Sequence, residues 1–160
     1  MAWELLKTDT LSGTSDTITL SSLDAKESLF VEGTILNSGS LNDIALEFNS
    51  DSGNNYCRRY HAGDTKSSDT NQPYFEIEQG SAFSHPFYFY ANISNVQDEN
   101  KICHSMFIDS NGTSTSSAPR FAEVFGVWNN SSDSINQIEL QNNGSGDFAA
   151  NSIFSCWGTN

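Results

Sequence analysis

The sequence is poor in basic residues. Only seven of its 160 residues are lysine or arginine, against twenty aspartates and glutamates, which gives a formal net charge of −13 at pH 7. Association with nucleic acid and with anionic lipid needs lysine and arginine to neutralise phosphates, so a surface of this charge repels both. We therefore expect neither nucleic acid nor a membrane as a partner.

Long hydrophobic runs are also missing. The chain contains no apolar stretch of the roughly 18 residues that a membrane helix needs. Its first residues, from Met1 to Lys7, have neither the basic leader nor the apolar segment of a signal peptide. A chain of 160 residues has the length of one domain, so residues 1–160 are predicted to form a single domain.

The sequence lacks the motifs of common enzyme and metal sites. Its three cysteines lie far apart in apolar segments, which favours buried thiols over zinc ligands and leaves a disulfide between two of them open: Cys57, Cys103 and Cys156. No G-x-S-x-G, H-E-x-x-H or phosphate-binding loop occurs, and no histidine has a carboxylate or cysteine at the spacing of a known site. We therefore predict that the protein is not an enzyme.

What the sequence does contain is a series of short apolar segments with a period of two residues. About ten such segments alternate with clusters of Gly, Ser, Asn and Asp, and none shows a sustained helical period. This pattern predicts an all-β, single-domain sandwich of jelly-roll type with little helix. The polar stretch 62–72 has no apolar anchor and is predicted to be a long surface loop.

The stretch from Phe48 to Tyr60 allows two interpretations. A strand runs into a cluster of turn-forming residues and leaves as a second strand, which predicts a tight hairpin with positive φ at Gly53. Oxygen-bearing side chains at alternate positions are also typical of a calcium loop, with these candidate ligands: Asn49, Asp51 and Asn55. A loop of the EF-hand type ends in a bidentate glutamate, where this chain has Tyr60. We therefore prefer the turn, and Ca²⁺ remains the alternative.

Two further sets of residues have both a functional and a structural interpretation. Glu76 and Glu78 lie two apart on one strand face, and glycosidases use a pair of acids, but an exposed acidic strand face explains the two residues more simply. Aromatic side chains on a sandwich can stack on sugars, which makes a carbohydrate-binding module, directed at host glycans, the alternative function. Its candidate contact residues are Tyr74, Tyr88, Tyr90 and Trp128.

Three segments carry a resemblance to a known group of proteins. They are Ala2-Trp3-Glu4-Leu5-Leu6, the stretch from Phe48 to Tyr56, and the segment from Asn143 to Ala150. Together they resemble small β-sandwich structural proteins of tailed phages and related viruses, which act as capsid decorations, spikes or tail components. The resemblance implies a virion structural protein that is made in the host cytoplasm, forms a homo-oligomer, with a trimer as the first expectation, and contacts capsid or tail proteins.

Overall fold

The computed structural model of this chain consists of strands and connecting turns. It describes residues 2–41, 43–78, 83–110 and 118–160, and no residue of these ranges lies in a helix. In that part of the chain there is accordingly no helix long and apolar enough to cross a membrane. The strands, in chain order, are β1 (Glu4–Thr10), β2 (Thr17–Ser21), β3 (Ser28–Ile35), β4 (Asn37–Ser38), β5 (Ile44–Phe48), β6 (Tyr56–Ala62), β7 (Thr65–Gln72), β8 (Phe75–Glu78), β9 (Phe87–Ser94), β10 (Lys101–Asp109), β11 (Arg120–Trp128), β12 (Gln137–Asn142), β13 (Asp147–Phe148) and β14 (Ile153–Thr159).

These strands form two main antiparallel sheets. The large sheet has eight strands in the order β1-β14-β3-β9-β10-β11-β6-β7, and the small sheet has four in the order β2-β12-β5-β8. Strands β4 and β13 form a separate short pair. Neighbours such as β3 and β9 are far apart in sequence, so the chain crosses repeatedly between the sheets, as it does in sandwiches with Greek-key connections. The all-β sandwich predicted from the sequence is confirmed.

The core lies between the two sheets and follows from the alternation along each strand. In β9, Phe87, Phe89, Ala91 and Ile93 are buried, whereas Tyr88 points outward. The inward side chains of both sheets belong to one connected hydrophobic cluster. The inner strands of the large sheet therefore have one face in the core and one face directed away from it, whereas no residue of the edge strands β1 and β7 is buried.

A close approach of β8 to β11 depends on the glycine at position 126. A Cβ atom at Gly126 would lie 2.3 Å from the ring of Phe75 and 2.5 Å from the backbone oxygen of Cys57. A residue without a side chain is thus needed for Phe75, in the edge strand of the small sheet, to reach the large sheet.

The predicted hairpin between Phe48 and Tyr60 is wrong. Strand β5 pairs with β12 and β8 in the small sheet, whereas β6 pairs with β11 and β7 in the large sheet. The turn between them therefore carries the chain from one sheet to the other. Positive φ occurs at Asn49 (54°) and Ser50 (57°) and not at Gly53, because Asn tolerates the left-handed region and its side chain is held by other segments.

The predicted loop at 62–72 is also wrong, since β7 occupies most of it and pairs with β6. This strand lies at the edge of the large sheet, where most of its side chains meet solvent. An edge strand of this kind needs no apolar anchor, and polar residues discourage pairing with other chains. The composition that indicated a loop is therefore equally compatible with an edge strand.

Candidate functional site

The outward face of the large sheet carries most of the large hydrophobic side chains that the described part of the chain exposes. Of the nine large hydrophobic side chains that these residues expose, only Val96 lies away from this face, in the turn after β9. The other eight are on the face or at its edge: Trp3, Leu5, Tyr88, Ile102, Ile108, Phe121, Phe125 and Ile153. Contiguous apolar surface of this kind marks a site of interaction.

Strand pairing places these side chains in continuous rows across the sheet. Leu5 pairs with Trp157, and Trp157 pairs with Phe30. Further along the same row, His104 pairs with Phe125, and their rings stack with centroids 4.6 Å apart and an interplanar angle of 5°. Aromatic rings therefore recur along the row from one edge of the sheet toward the other.

The face is electrically neutral although the chain is strongly acidic. The pairing places two acids, Glu32 and Glu123, and two bases, Arg59 and Lys66, at outward positions of the large sheet. His104 lies beside Glu123, with 3.1 Å between Nε2 and Oε1. The excess negative charge of the chain, −13 in total, is therefore carried by the rest of the molecule.

Described residues of this face line two grooves. The first has a volume of about 310 Å³ and is lined by Trp3, Phe30, Glu32, Asn92 and Trp157. Trp3 meets Phe30 edge to face, with ring centroids 6.4 Å apart. The groove thus combines aromatic surfaces with one carboxylate and one amide, which can bind hydroxyl groups.

The second groove, of about 430 Å³, lies toward the other edge of the sheet. Its lining includes Ile102, Phe125, Val127 and Arg59, together with the half-buried thiol of Cys57. Cys103 and Cys156 are buried in the core, where burial raises the pKa of both thiols. All three cysteines are free, and the predicted burial is confirmed for these two.

Two of the four aromatic residues predicted to contact a glycan lie on this face. The ring of Tyr90 stacks on Phe30, with centroids 6.0 Å apart and an interplanar angle of 28°. Tyr88 is exposed, and its hydroxyl donates a hydrogen bond of 3.1 Å to Oε2 of Glu32. Burial, followed by this hydrogen bond, raises the pKa of Tyr88. Both residues adjoin the first groove through Phe30 and Glu32.

The other two aromatic residues lie elsewhere. Trp128 is only 1% exposed and packs in the core against Tyr56 and Phe48, so it cannot stack on a sugar, and this part of the prediction is wrong. Its position in β11 points inward, and its indole N–H has a partner that allows burial. Tyr74 is half-buried just before β8, where burial and the charge of Glu76 raise its pKa.

Asp51 and Asn55, two of the candidate calcium ligands, are brought together by the turn after β5. The carboxylate of Asp51 accepts hydrogen bonds from the backbone N–H of Gly53 at 2.9 Å and from Nδ2 of Asn55 at 3.1 and 2.9 Å. It also accepts one from Nε1 of Trp128 at 2.7 Å. Asn55 therefore directs its N–H group, and not its oxygen, toward Asp51. Hydrogen-bond donors of the protein surround the Asp51 carboxylate.

Asn49, the third candidate, serves a different segment. Its side-chain oxygen accepts hydrogen bonds from the backbone N–H groups of Asn136 at 2.9 Å and Gln137 at 3.1 Å, and its Nδ2 donates to the carbonyl of Ser134 at 2.9 Å. The three candidates do not converge on one point. Within the described ranges, no group of three His, Cys, Asp or Glu side chains is arranged to hold a metal ion.

The acid pair Glu76 and Glu78 is buried, which overturns the exposed acidic face expected from the sequence. Their exposed fractions are 6% and 5%. The expectation failed because β8 is a short edge strand of the small sheet that large-sheet side chains cover. Arg58, itself 4% exposed, forms ion pairs with Glu76 and with Asp69, the latter at 2.9 Å. Burial raises the pKa of both glutamates to about 7.

The sequence predictions missed the residues that contribute most to the outer face, including Trp3, Phe30, Ile102 and Trp157. A signal was present, because the segments that became β9 and β11 are apolar on both faces. That pattern indicates either a strand covered on both faces within the domain or a strand whose outer face is covered by a neighbouring subunit. Only the pairing of β1, β14 and β3 shows that their aromatic residues extend the same surface.

Comparison with known proteins does not place the chain in a family. No family model matches it, and no curated protein matches it. Among solved structures, Scytalido-glutamic peptidase with a peptide-based transition state analog aligns at 10% identity over 91% of this chain and 74% of that one, with a TM-score of 0.31. An engineered GH43 glycoside hydrolase aligns at 9% identity over 96% of this chain and 36% of that one, with a TM-score of 0.27. This chain therefore spans about a third of the length of that enzyme. The CBM2 module of the evolved Dit from Lactobacillus casei BL23 phage J-1 aligns at 10% identity over 94% of this chain and 75% of that one, with a TM-score of 0.17. These scores are too low to bear on function.

Proposed function

We propose that the chain is a non-enzymatic structural protein that associates with further copies of itself through the outer face of its large sheet. The observation that carries this proposal is the concentration of exposed apolar side chains on a face without net charge. A molecule with a net charge of −13 repels its own copies over most of its surface. On this face the repulsion is smallest and the apolar area to be buried is greatest.

The size of the face fits this role. Eight strands at about 4.8 Å spacing and about eight residues in length at about 3.3 Å per residue cover roughly 1,000 Å². A stable interface buries about 800 Å² on each partner, so the face alone suffices. A surface that pairs with the same surface of a second copy gives a two-fold dimer. The trimer expected from the sequence stays a prediction that a mass measurement distinguishes from the dimer.

A virion surface is the setting that we propose for this assembly. Capsid decorations, spikes and tail components repeat one small domain around a symmetry axis, and a β-sandwich presents broad faces for such packing. The segments that resemble phage structural proteins support the same assignment. Capsid or tail proteins would then be the further partners.

Two measurements test the proposal. Light scattering over a concentration series should give a mass that rises from one copy to a defined oligomer, and a monomer at every concentration would overturn self-association. Mass spectrometry of purified virus particles should detect the chain in fixed stoichiometry with capsid or tail proteins. Its absence from particles would overturn the virion assignment and leave self-association standing.

A second candidate function is binding of a neutral glycan in the groove between Trp3 and Trp157. It is favoured by the combination of three aromatic side chains with Glu32 and Asn92 in one groove. Sugars present apolar faces to aromatic rings and hydroxyls to carboxylate and amide groups. The acidic surface disfavours sulfated or sialylated chains.

Tryptophan fluorescence tests the glycan function directly. Titration with neutral oligosaccharides should change the emission of the wild type, and Trp3→Ala should abolish the change. Tyr74→Ala, outside the groove, should bind like the wild type. If no neutral oligosaccharide changes the emission at millimolar concentration, the groove is not a glycan site.

A further inference from the structure

The charged side chains around β8 form a cluster, four of them buried and three half-buried, with too many acids for its bases. They come from strands of both sheets and from the residue before β5. Their members are Asp43, Asp69, Glu76, Glu78, Asp109, Arg58 and Arg120. Five carboxyl groups against two guanidinium groups leave an excess of three negative charges if all are ionised. A buried site tolerates such an excess poorly, because desolvation disfavours unpaired charge.

Each arginine of the cluster is held by an aspartate of the large sheet. Arg58 donates hydrogen bonds to Oδ2 of Asp69 from Nε at 3.1 Å and from Nη2 at 2.9 Å, and it also contacts Glu76. Arg120 bonds Oδ2 of Asp109 through Nε at 3.0 Å. The two arginines therefore mainly compensate the charges of these other acids, and little positive charge is left to compensate Glu78.

Glu78 presents an oxygen without a hydrogen-bond partner. Its side chain is 5% exposed, and Oε2 has no partner in the part of the chain that the structure describes. A charged carboxylate oxygen in this position loses its hydration without compensation, whereas a protonated carboxyl loses much less. The geometry thus favours a proton on Glu78.

Glu76 provides a second place for a proton. Its carboxyl group hydrogen-bonds the carboxyl group of Asp43. A hydrogen bond between two carboxyl groups needs one proton, so Glu76, which also contacts Arg58, shares a proton with Asp43. Asp43 is held in position by its backbone, which has a φ of 54° and accepts hydrogen bonds of 3.3 Å from Asn143.

We propose that Glu76 and Glu78 are proton-binding groups that hold β8 against the large sheet, and that loss of their protons above neutral pH loosens this seam. The β8 seam is defined as the contacts of β8 with β6, β10 and β11. Protonated, the two glutamates leave Asp43, Asp69 and Asp109 facing Arg58 and Arg120, which is close to balance. Deprotonated, they restore the full excess of negative charge inside the seam.

The expected direction with pH follows from the pKa of each group. Burial, as the largest cause, raises the pKa of both glutamates from 4.5 to about 7, and the neighbouring arginines only partly oppose it. A group whose pKa is higher in the folded than in the unfolded state contributes stability below its unfolded pKa and loses it as the pH rises through the folded value. The seam should therefore be tight below pH 4.5 to 5 and loosen above pH 7.

Two tyrosines adjoin the seam as well: Tyr60 on β6, whose ring centroid lies 5.4 Å from the guanidinium carbon of Arg58, and Tyr74. Tyr74, just before β8, has a pKa raised above 10 by burial and stays neutral in this range. The sequence has no titratable side chain at positions 42, 79–82 or 111–117. The pH response of the seam is thus assigned to the two glutamates.

The test combines two measurements on the full chain. Carbon-13 NMR of the glutamate carboxyl groups should show two resonances that titrate near pH 7 and that are missing in Glu76→Gln/Glu78→Gln. Hydrogen exchange at pH 8.5, corrected for the intrinsic rate, should be about tenfold faster for β8 amides than at pH 6, with β3 amides unchanged. Glutamine imitates the protonated acid, so β8 exchange in the double variant should not depend on pH.

Glu27→Gln, which removes an exposed acid, should leave the pH response of the wild type intact and serves as the charge control. The proposal is overturned if no glutamate carboxyl of the wild type titrates above pH 6, or if β8 protection is constant from pH 6 to 8.5. The NMR titration uses the wild type alone and therefore stands even if the double variant does not fold. Neither outcome depends on self-association.

Discussion

The indole Nε1 of Trp128 donates a hydrogen bond of 2.7 Å to Oδ2 of Asp51. Trp128 is the last residue of β11 in the large sheet, and Asp51 lies in the turn that leaves the small sheet after β5. The bond therefore ties the crossing between the sheets to the core. Two residues that the sequence assigned to different ligands, a sugar and a calcium ion, bind each other.

Removal of this acceptor should destabilise the protein. In Asp51→Ala the buried indole N–H has no partner, which costs about 1 to 3 kcal/mol. Asp51→Asn keeps an acceptor and should lose less. Urea denaturation followed by tryptophan fluorescence measures both. A midpoint for Asp51→Ala equal to that of the wild type would show that the bond does not hold the crossing.

The same carboxylate should make the protein sensitive to acid. Burial alone would raise the pKa of Asp51, but hydrogen bonds from Trp128, Asn55 and Gly53 outweigh it and lower the pKa below 3.8. A lowered pKa contributes stability above the unfolded value that is lost as the pH falls through the folded value. Below pH 4, the melting temperature of the wild type should fall more steeply than that of Asp51→Asn, and parallel curves would contradict this assignment.

A methyl group at Gly126 should disturb the packing of β8 on β11. The new Cβ would meet the ring of Phe75 and the backbone oxygen of Cys57, and overpacking of this kind costs about 1 to 3 kcal/mol. Gly13→Ala is the matched control, because no atom lies within 4 Å of its Cβ position. Thermal denaturation should separate the two variants by several degrees, and equal melting temperatures would refute the close approach.

Salt should strengthen self-association. The apolar face is neutral, while the remaining surface carries the net charge of −13. Salt therefore screens the repulsion between copies and does not weaken the burial of apolar surface at the interface. Sedimentation equilibrium should show a lower dissociation constant at 0.5 M than at 0.05 M NaCl. Weaker association at high salt would indicate an interface built on ion pairs instead.

The fold class was predictable from the sequence, but the pairing of strands was not. Alternation along β9 correctly separates buried Phe89 from exposed Tyr88, because a period of two is a local property of each strand. The turn after Phe48 looks like a hairpin because hairpins and crossings between sheets use the same residues. Which of the two forms depends on distant strands, here β12 and β11.

The candidate site was predictable only in part for the same reason. Tyr88 and Tyr90 could be recognised as a second aromatic face within one strand. Trp3 and Trp157 join that face only because β1 and β14 pair beside β3, a relationship of residues at opposite ends of the chain. Burial of Glu76 likewise depends on Arg58 from the other sheet.

The mass in solution of a variant with a charge in the centre of the apolar face tests the account most directly. Phe125, 49% exposed on β11, lies on the face, whereas Val96, 38% exposed, lies off it. Light scattering at equal concentration should show the wild type and Val96→Glu as the same oligomer and Phe125→Glu as a monomer with unchanged circular dichroism. A Phe125→Glu protein that keeps the mass of the wild type would contradict the assignment of this face as the interface between copies.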